Sequence, residues 1–448
     1  MDICFDDLPL AGQERYLPGG SRRHKVFLRV ASLLWFILAG PILAGLPSTL
    51  PETAAANWPQ FRGPNRDDIS TETGLLRKWP AGGPKVLWTQ PVADGYSAAA
   101  IRDGRVYFND YDRKASKWLV RCLALDTGAP LWQFSEKKRI RPNHGITRTV
   151  PAVDDRYVFT LDPKCVLHCL DAESGKQLWE KNLPAEYKTP IPPWYAGQCP
   201  LLETDRVIVA PGGRASIVAF KKATGAAIWE AANEDQAPMS HASVMPAVIG
   251  GVRQYLHSDL KGIVGVGLDG KVLWNFPWKF NVSVPVSPLP VGAGRIFLTS
   301  CYEAETVMIR VSRQDEKFSA EKLFSLGPSG WNSEVQTPIL YQDHLFGVGK
   351  KRRGQFTCLD LEGKTVWKTK LRGGFGLGSY LLADGMFYLL EGGSGMLRLV
   401  EADCHEYREL DHAQVLHGHD VWAPMALSEG KLLLRDMSQI KCIEVGTP

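Results

Sequence analysis

Two stretches of the sequence decide the fold: residues 124–132 are ALDTGAPLW, and residues 169–179 are CLDAESGKQLW. Each runs from a small residue and Leu-Asp through a Gly turn to a Trp. Related copies end at Trp229, Trp274 and Trp367, and two degenerate copies end near Phe324 and Leu410. A motif that returns every ~45 residues indicates a repeat architecture.

A second element recurs in register with the first: a short strand that opens on Pro or a small residue, then a polar turn and a β-rich strand. Its copies include AAIRDGRVYF (99–108), PAVDDRYVF (151–159) and PLLETDRVIV (200–209). Further copies begin at Pro246, Pro288, Pro338, Tyr380 and Pro424. The step averages about 46 residues, which is the length of a four-stranded propeller blade.

These repeats predict an all-β fold, an eight-bladed β-propeller of four-stranded antiparallel blades. A single four-stranded sheet cannot bury its own apolar faces, so the blades must stack around an axis. Residues 441–445 (KCIEV) resemble a third blade strand that lacks its Trp strand, and residues 85–92 (KVLWTQPV) resemble a Trp strand without predecessors. We therefore expect strands from both termini to pair and close the ring.

Composition excludes several classes of protein. The chain has 448 residues, of which 44% are hydrophobic and 22% charged, and its formal net charge is only +4. That balance excludes a polybasic nucleic-acid binder and an acidic disordered tail, so we expect no nucleic-acid partner. The 43 glycines and 14 tryptophans favour an all-β fold with many tight turns.

The nine cysteines are too few for a disulfide scaffold of this length. Cys165 and Cys169 would lie roughly 13 Å apart in an extended strand, beyond disulfide reach. Cys169, Cys358 and Cys442 align at one blade position, where Ala124, Ala219 and Gly265 stand in other blades. We interpret these cysteines as small buried hydrophobes.

An apolar run at residues 30–46 (VASLLWFILAGPILAGL) follows a basic flank, RRHK, at residues 22–25. This pattern predicts an export signal, with an N-terminal membrane anchor as the alternative. We divide the chain into a targeting segment (1–57), an N-terminal arm (58–84) and the propeller (85–448). Export places the propeller in the periplasm or outside the cell, or tethers it to the membrane if the segment is not cleaved.

The Gly-to-Trp motif resembles the pyrroloquinoline-quinone (PQQ) repeat of the quinoprotein superfamily. The segment WPQFRGPNRDDIS (58–70) is similar to the opening of such domains, and the resemblance covers about residues 58–448. The family includes PQQ-dependent alcohol dehydrogenases, which hold the quinone and a calcium ion in the ring's funnel. It also includes cofactor-free propellers, such as the lipoprotein subunit of the outer-membrane protein assembly machinery.

Two departures from these relatives bear on function. The dehydrogenases typically carry adjacent cysteines over the quinone, and this sequence contains no Cys-Cys pair. The assembly subunit requires a lipid-bearing Cys where this chain has Leu46. The sequence therefore favours a cofactor-free, non-catalytic binding or scaffold protein whose partner is an envelope protein or a small molecule. The alternative is a PQQ- and calcium-dependent dehydrogenase that oxidises alcohols or sugars. We expect a monomer.

Candidate ligand-binding residues lie in the loops that enter the innermost strands, because those loops converge on one mouth of the channel. Aromatic and hydrogen-bonding side chains in these loops predict a polar, aromatic-walled funnel. The alternative is that these side chains are ordinary rim residues of a water-filled channel. The candidates are Tyr96, His144, Arg148, Trp194, Tyr195, Gln198, His241, Trp331, Asn332, Glu334, Phe375, His419, Asp420 and Trp422.

One loop has a spacing that suits a metal ion. His417, His419 and Asp420 offer two imidazoles and a carboxylate around Gly418. No fourth ligand is identifiable, so we interpret this segment as a solvated turn and keep the three residues as weak metal candidates.

Overall fold

Short runs of apolar residues, interrupted by Gly, Asp and Asn turns, form nearly all of the regular structure. The computed structural model describes residues 57–278, 283–300, 304–327, 330–349, 354–370 and 375–447. Residues 1–56, which hold the predicted targeting segment, lie outside the described residues. In the part that is described, no helix is both long and apolar enough to span a membrane.

The first half of the chain forms two N-terminal strands and four blades. The N-terminal strands are β1 (Ile69–Ser70) and β2 (Val86–Pro91). Blade 1 contains β3 (Ala100–Arg102), β4 (Arg105–Asp112), β5 (Lys117–Ala124) and β6 (Pro130–Lys137). Blade 2 contains β7 (Ala152–Val153), β8 (Tyr157–Leu161), β9 (Val166–Asp171) and β10 (Gln177–Asn182), followed by helix α1 (Leu183–Tyr187). Blade 3 contains β11 (Leu201–Leu202), β12 (Arg206–Val209), β13 (Ala215–Lys221) and β14 (Ala227–Ala232). Blade 4 contains β15 (Met245–Ile249), β16 (Val252–Ser258), β17 (Gly262–Gly267) and β18 (Val272–Pro277).

The second half forms the remaining blades. Blade 5 contains β19 (Leu289–Pro290), β20 (Arg295–Leu298), β21 (Val307–Gln314) and β22 (Lys317–Ser325). Blade 6 contains β23 (Ile339–Tyr341), β24 (His344–Gly349), β25 (Gln355–Asp360) and β26 (Thr365–Lys368). Blade 7 contains β27 (Tyr380–Ala383), β28 (Met386–Leu390), β29 (Met396–Glu401) and β30 (Glu409–Gln414). Blade 8 contains β31 (Ala426–Ser428), β32 (Lys431–Arg435) and β33 (Gln439–Glu444), and β2 completes it.

The predicted eight-bladed propeller of four-stranded antiparallel sheets is confirmed. Ring closure occurs between β2 and β33, which pair antiparallel with Trp88 opposite Cys442. The first strands of neighbouring blades contact one another, β3 with both β7 and β31, so these strands line the centre of the ring.

Several seams between blades are built around the repeated Gly and Trp. The Trp at the end of one blade packs over the turn Gly of the next, and its indole N–H donates to a backbone carbonyl there. A Cβ at Gly175 would lie 2.4 Å from the Trp132 ring, and Gly175 has φ +71°, so only glycine fits without strain. Indole donors and carbonyl acceptors at such seams are Trp88 to Leu125 (2.6 Å), Trp132 to Ala172 (3.0 Å), Trp179 to Lys222 (2.7 Å) and Trp367 to Asp403 (3.1 Å).

The position opposite the Trp needs one correction. In blade 1 the residue paired with Trp132 is Cys122, not Ala124. The Leu-Asp pair lies two residues closer to the turn Gly in blade 1 than in blade 2, so aligning the two Leu-Asp pairs shifts the register by two residues. Cys122 therefore joins Cys169, Cys358 and Cys442 beneath a Trp, and all four are buried free thiols. Cys165 and Cys169 form no disulfide, as predicted.

The N-terminal arm crosses the ring. Pro59 accepts a hydrogen bond from Val153 N in blade 2 (2.8 Å), and Arg66 donates to Pro200 O at blade 3 (2.9 Å). A few residues later, β1 pairs in parallel with β27 of blade 7. Blades 2 and 3 face blades 6 and 7 across an eight-bladed ring, so the arm spans the channel interior.

Candidate functional site

A cavity of about 320 Å³ lies at the mouth of the channel, where the loops enter the innermost strands. Its lining comes from loops of several blades together with Phe61 of the arm. Seven of the predicted site residues meet there: Tyr96, His144, Arg148, Trp194, His241, Glu334 and Trp422. The remaining lining residues are Phe61, Gly197, Cys199, Ser243, Ser283, Pro285, Val335, Gln336, Leu377 and Pro424.

The arm supplies one wall of this cavity and is held by buried arginines. Arg66 is 1% exposed and donates to the carbonyls of Pro200 (2.9 Å) and Cys199 (3.3 Å). Arg62 donates to Pro338 O (3.0 Å) and forms a buried ion pair with Asp68. Phe61 directly precedes Arg62 and its ring lies 5.7 Å from the Arg66 guanidinium, so these contacts hold Phe61 at the cavity wall.

Arg148 brings a positive charge to the cavity wall. Its Nη2 donates to Asn143 O (2.9 Å), and its guanidinium lies over the Tyr96 ring at 5.6 Å from the ring centre. The Nη1 atom is buried and has no hydrogen-bond partner. Burial lowers the pKa of the Arg148 guanidinium to about 10, which still leaves it charged at neutral pH.

His241 is a neutral imidazole next to this charge. It is 8% exposed, and its Nδ1 lies 2.6 Å from Ser283 Oγ. Burial lowers the pKa of His241 to about 4, and the charge of Arg148 adds to the decrease. The Nε2 atom is buried without a hydrogen-bond partner. Its neighbour Gly197 is required for space, because a Cβ there would lie 2.3 Å from the imidazole.

Aromatic rings form the apolar part of the wall. Tyr96 stacks on Trp422 with ring centres 5.2 Å apart and planes inclined by 18°. Burial raises the pKa of the Tyr96 hydroxyl, and the nearby Asp420 carboxylate adds to the rise. Trp194 packs against His241 at 6.2 Å. Gln336 secures the Trp422 loop by donating to the carbonyls of Leu377 (3.3 Å) and Trp422 (3.2 Å).

Several predicted site residues serve the fold instead of lining the cavity. Gln198 is fully buried, and its side-chain amide bonds both the N–H and the carbonyl of Ala210 (2.8 and 2.6 Å). Phe375 is 1% exposed and packs in the core against Phe356. Tyr195 packs beside the blade 1 core and donates to Arg141 O (2.5 Å).

Trp331 and Asn332 lie at a different place. They line a second cavity of about 190 Å³ formed by blade 5 and blade 6 residues. Trp331 packs against Phe297 at 6.2 Å and covers Gly347 and Gly349 of β24, where a Cβ would meet its ring. Asn332 donates to Ser300 O (3.3 Å). This loop therefore turns toward the seam between blades.

The weak metal candidates do not converge. His417 and His419 are exposed, and the one contact of the set is His419 Nδ1 with the Asp420 carboxylate at 3.6 Å. Among the described residues, the groups whose ligand atoms approach one another closely are Asp403-Cys404-His405 and Glu136-Asp162-His168. In the second group Lys138 already occupies the centre, with its Nζ 2.8 Å from Asp162 and 2.9 Å from Glu136.

Sequence reasoning missed the lining residues without distinctive chemistry, such as Ser243, Ser283 and Val335. A usable signal was present for some of them. Ser243 lies three residues before the opening Pro246 of its blade and Cys199 one residue before Pro200, in the segment where other blades place Arg148 and Trp422. Phe61 had no such signal, because the path of the arm is not encoded in the repeat.

A model of the family described as "Outer membrane protein assembly factor BamB" matches residues 116–369, more than half of the chain. The chain belongs to this family of PQQ-repeat β-propellers. A search of curated proteins finds no significant match.

Solved structures show the same fold for this family member. BamB from Moraxella catarrhalis is 14% identical with a TM-score of 0.55, covering 80% of this chain and 97% of that protein. A europium-containing methanol dehydrogenase is 12% identical with a TM-score of 0.60 (87% and 89% covered). The quinohemoprotein alcohol dehydrogenase from Comamonas testosteroni is also 12% identical, with a TM-score of 0.61 (88% and 81% covered). At these identities the likeness concerns the fold.

The cavity of this BamB-family chain does not fit PQQ with calcium. Calcium takes six to eight oxygen ligands, usually including several carboxylates. Glu334 is the sole carboxylate among the described lining residues, and Arg148 is the sole guanidinium there to face a polycarboxylate quinone. We therefore derive no chemistry from that cofactor.

Proposed function

We propose that this chain is an exported, non-catalytic β-propeller of the cell envelope that binds a ligand, or a segment of a partner protein, in the channel-mouth cavity. The observation that carries the proposal is the cavity itself: aromatic rings on its wall, Arg148 and His241 beside them, and the arm packed across the ring. Ligand pockets typically have volumes of ~300 Å³ or more and combine apolar walls with a few polar groups.

Family membership supports a binding role, because the family is described by an assembly factor rather than by an enzyme. The basic flank and apolar run at residues 22–46 support export. The lining also favours binding over catalysis, because the described lining residues offer no pair of carboxylates.

The test uses purified protein as bait on a native envelope extract, with Trp422→Ala and Arg148→Ala as cavity variants. Arg214→Ala is the matched control, since Arg214 also lies over a tyrosine ring, that of Tyr187 at 4.7 Å, but on blade 3 outside the cavity. We expect a partner or ligand captured by the wild type and by Arg214→Ala to be lost from both cavity variants. Equal capture by all four proteins would contradict the proposal.

A second experiment separates binding from quinone chemistry. Protein incubated with PQQ and calcium is assayed for dye-linked dehydrogenase activity on alcohols and sugars and for quinone absorbance. We expect neither signal. The appearance of either would replace the binding module with the dehydrogenase alternative.

A further inference from the structure

We propose that the channel-mouth cavity recognises a ligand bearing one carboxylate on an apolar, ring-containing body, with the carboxylate at Arg148 and His241 and the body against the Tyr96–Trp422 pair and Trp194. This inference rests on the proposed function and names the chemistry of the ligand.

The charge of Arg148 has no counter-ion within the described residues. Two other partly buried arginines face carboxylates: Arg121 lies 3.1 Å from Asp110, and Arg398 lies 2.9 Å from Glu409. Arg148 has no such ion pair within the described residues; its neighbours are the Asn143 carbonyl and the Tyr96 ring. A partly buried cation without a counter-ion is costly, so an anionic ligand gains by supplying one.

The cavity wall also carries a surplus of hydrogen-bond donors. Arg148 Nη1 and His241 Nε2 are both buried and unpartnered. When the Ser283 hydroxyl donates to Nδ1 of the neutral His241, Nε2 carries the proton, so both groups are donors. A carboxylate is an acceptor-only group, and its two oxygens can accept hydrogen bonds from both N–H groups. Because Arg148 Nη1 and His241 Nε2 are buried from solvent in the free protein, binding requires a side-chain rotation that brings these two atoms to the ligand.

The rest of the cavity wall suits an apolar, ring-containing ligand body. The stacked Tyr96 and Trp422 rings, with Trp194, Phe61, Leu377 and Pro285, make the rest of the lining predominantly apolar and aromatic. Flat apolar groups pack well on such rings. The volume of about 320 Å³ admits a ring with a short chain. Arg148 is the one guanidinium among the described lining residues, so the cavity offers a counter-charge for a single carboxylate.

The experiment compares matched acids and neutral amides by isothermal titration calorimetry. The probes are phenylacetate with phenylacetamide, and indole-3-acetate with its amide. A short apolar peptide ending in Phe is used with either a free or an amidated C-terminus, because a carboxylate can come from a free acid or from a chain end. We expect each acid that binds to do so about 10- to 100-fold more tightly than its amide.

Three variants locate the effect. Arg148→Met keeps an unbranched apolar stem without the charge, Arg148→Lys restores the charge, and Arg214→Met is the control outside the cavity. We expect Arg148→Met to abolish the preference for acid over amide, Arg148→Lys to recover part of it, and Arg214→Met to leave it unchanged. Thermal melting confirms that each variant is folded.

The outcomes separate this inference from the proposed function. Equal binding of acid and amide, or an unchanged preference in folded Arg148→Met, would overturn carboxylate recognition, while loss of that binding in Trp422→Ala would still support a binding cavity. Failure of every acid to bind at about 10 mM also overturns the inference. Preference for the peptide over the free acids would identify a chain end as the ligand, and the reverse a small molecule.

Discussion

The seams at the circumference and the loops at the channel mouth belong to the same eight repeats but follow opposite rules. At the seams one geometry recurs: a Trp over the Gly of the next blade, with its indole N–H bonded to a carbonyl, as for Trp132 on Gly175 and Ala172. At the mouth each loop differs, and donors of Arg148 and His241 lack partners. The seams hold the ring together, whereas the mouth leaves buried donors without partners, at some cost to stability.

The sharpest test of this contrast compares the truncation of a seam Trp with the truncation of a mouth Trp. Trp88 is 7% exposed in the closing blade, and its N–H donates to Leu125 O. We expect Trp88→Ala to lower the free energy of unfolding by about 3–5 kcal/mol, as for other buried aromatic truncations. Trp422→Ala loses one stacked ring pair and should cost about 1 kcal/mol.

Urea unfolding and ligand binding measured in parallel check this pair. Trp88→Ala, where it is folded, should bind as the wild type does, and Trp422→Ala should lose binding. If Trp422→Ala proved the more destabilising of the two, the division between seam and mouth would be wrong.

The second prediction isolates the contact beneath a seam Trp from backbone strain. Gly175 and Gly104 have nearly the same φ, +71° and +70°, but a Cβ at Gly104 meets nothing within 4 Å. Gly104→Ala should cost about 1 kcal/mol for the left-handed backbone alone. Gly175→Ala also collides with Trp132, so we expect a total of about 2–4 kcal/mol. Equal losses in chemical denaturation would show that the Trp132 ring moves aside without cost.

The third prediction concerns the stability that the mouth loses in acid. Since burial lowers the pKa of His241 from 6.5 to about 4, the unfolded chain binds the proton more tightly than the folded chain. The contribution is fully present above pH 6.5 and is lost as the pH falls toward 4, by up to about 3 kcal/mol. His241→Gln should therefore flatten this part of the stability profile.

His257 provides the control for that profile. It is buried in blade 4 away from the cavity lining, and burial lowers its pKa to about 3, so it contributes with the same sign. His257→Gln should flatten the profile separately, and the double variant should combine both effects. A His241→Gln slope between pH 6.5 and 4 identical to that of the wild type would contradict the assignment.

The smallest effect is expected at the position under each Trp. Burial raises the pKa of Cys442 to about 12, and the thiol is free. Blade 3 places Ala219 at the equivalent position beneath Trp229. Cys442→Ala should therefore cost about 1 kcal/mol or less in urea unfolding, far less than removal of Trp88 above it. A loss comparable to that of Trp88→Ala would indicate a role for the thiol beyond filling space.

The repeat made the fold predictable because each blade must bury the same surfaces, and the turn Gly and terminal Trp record that need. It also located the mouth, since the loop positions follow from the register. The directions of individual side chains were not predictable, because loops lack the alternation of strands. Gln198 thus turned inward to bond Ala210, and Phe375 entered the core.

The contacts of the N-terminal arm could not be predicted from the sequence either. Arg66 reaches Pro200, and Arg62 reaches Pro338, across 134 and 276 residues of chain. Contacts of that separation leave no local periodicity. The contribution of Phe61 to the cavity became visible only when the path of residues 57–70 across the ring was known.

The most direct test of the account is a crystal structure of the protein soaked with phenylacetate or indole-3-acetate. We predict ligand density in the channel-mouth cavity, with a carboxylate oxygen at hydrogen-bond distance, about 2.7–3.0 Å, from Arg148 and the ring packed on Tyr96 and Trp422. Density for the acid only elsewhere on the ring, or a cavity that stays free of ligand under saturating acid, would contradict it.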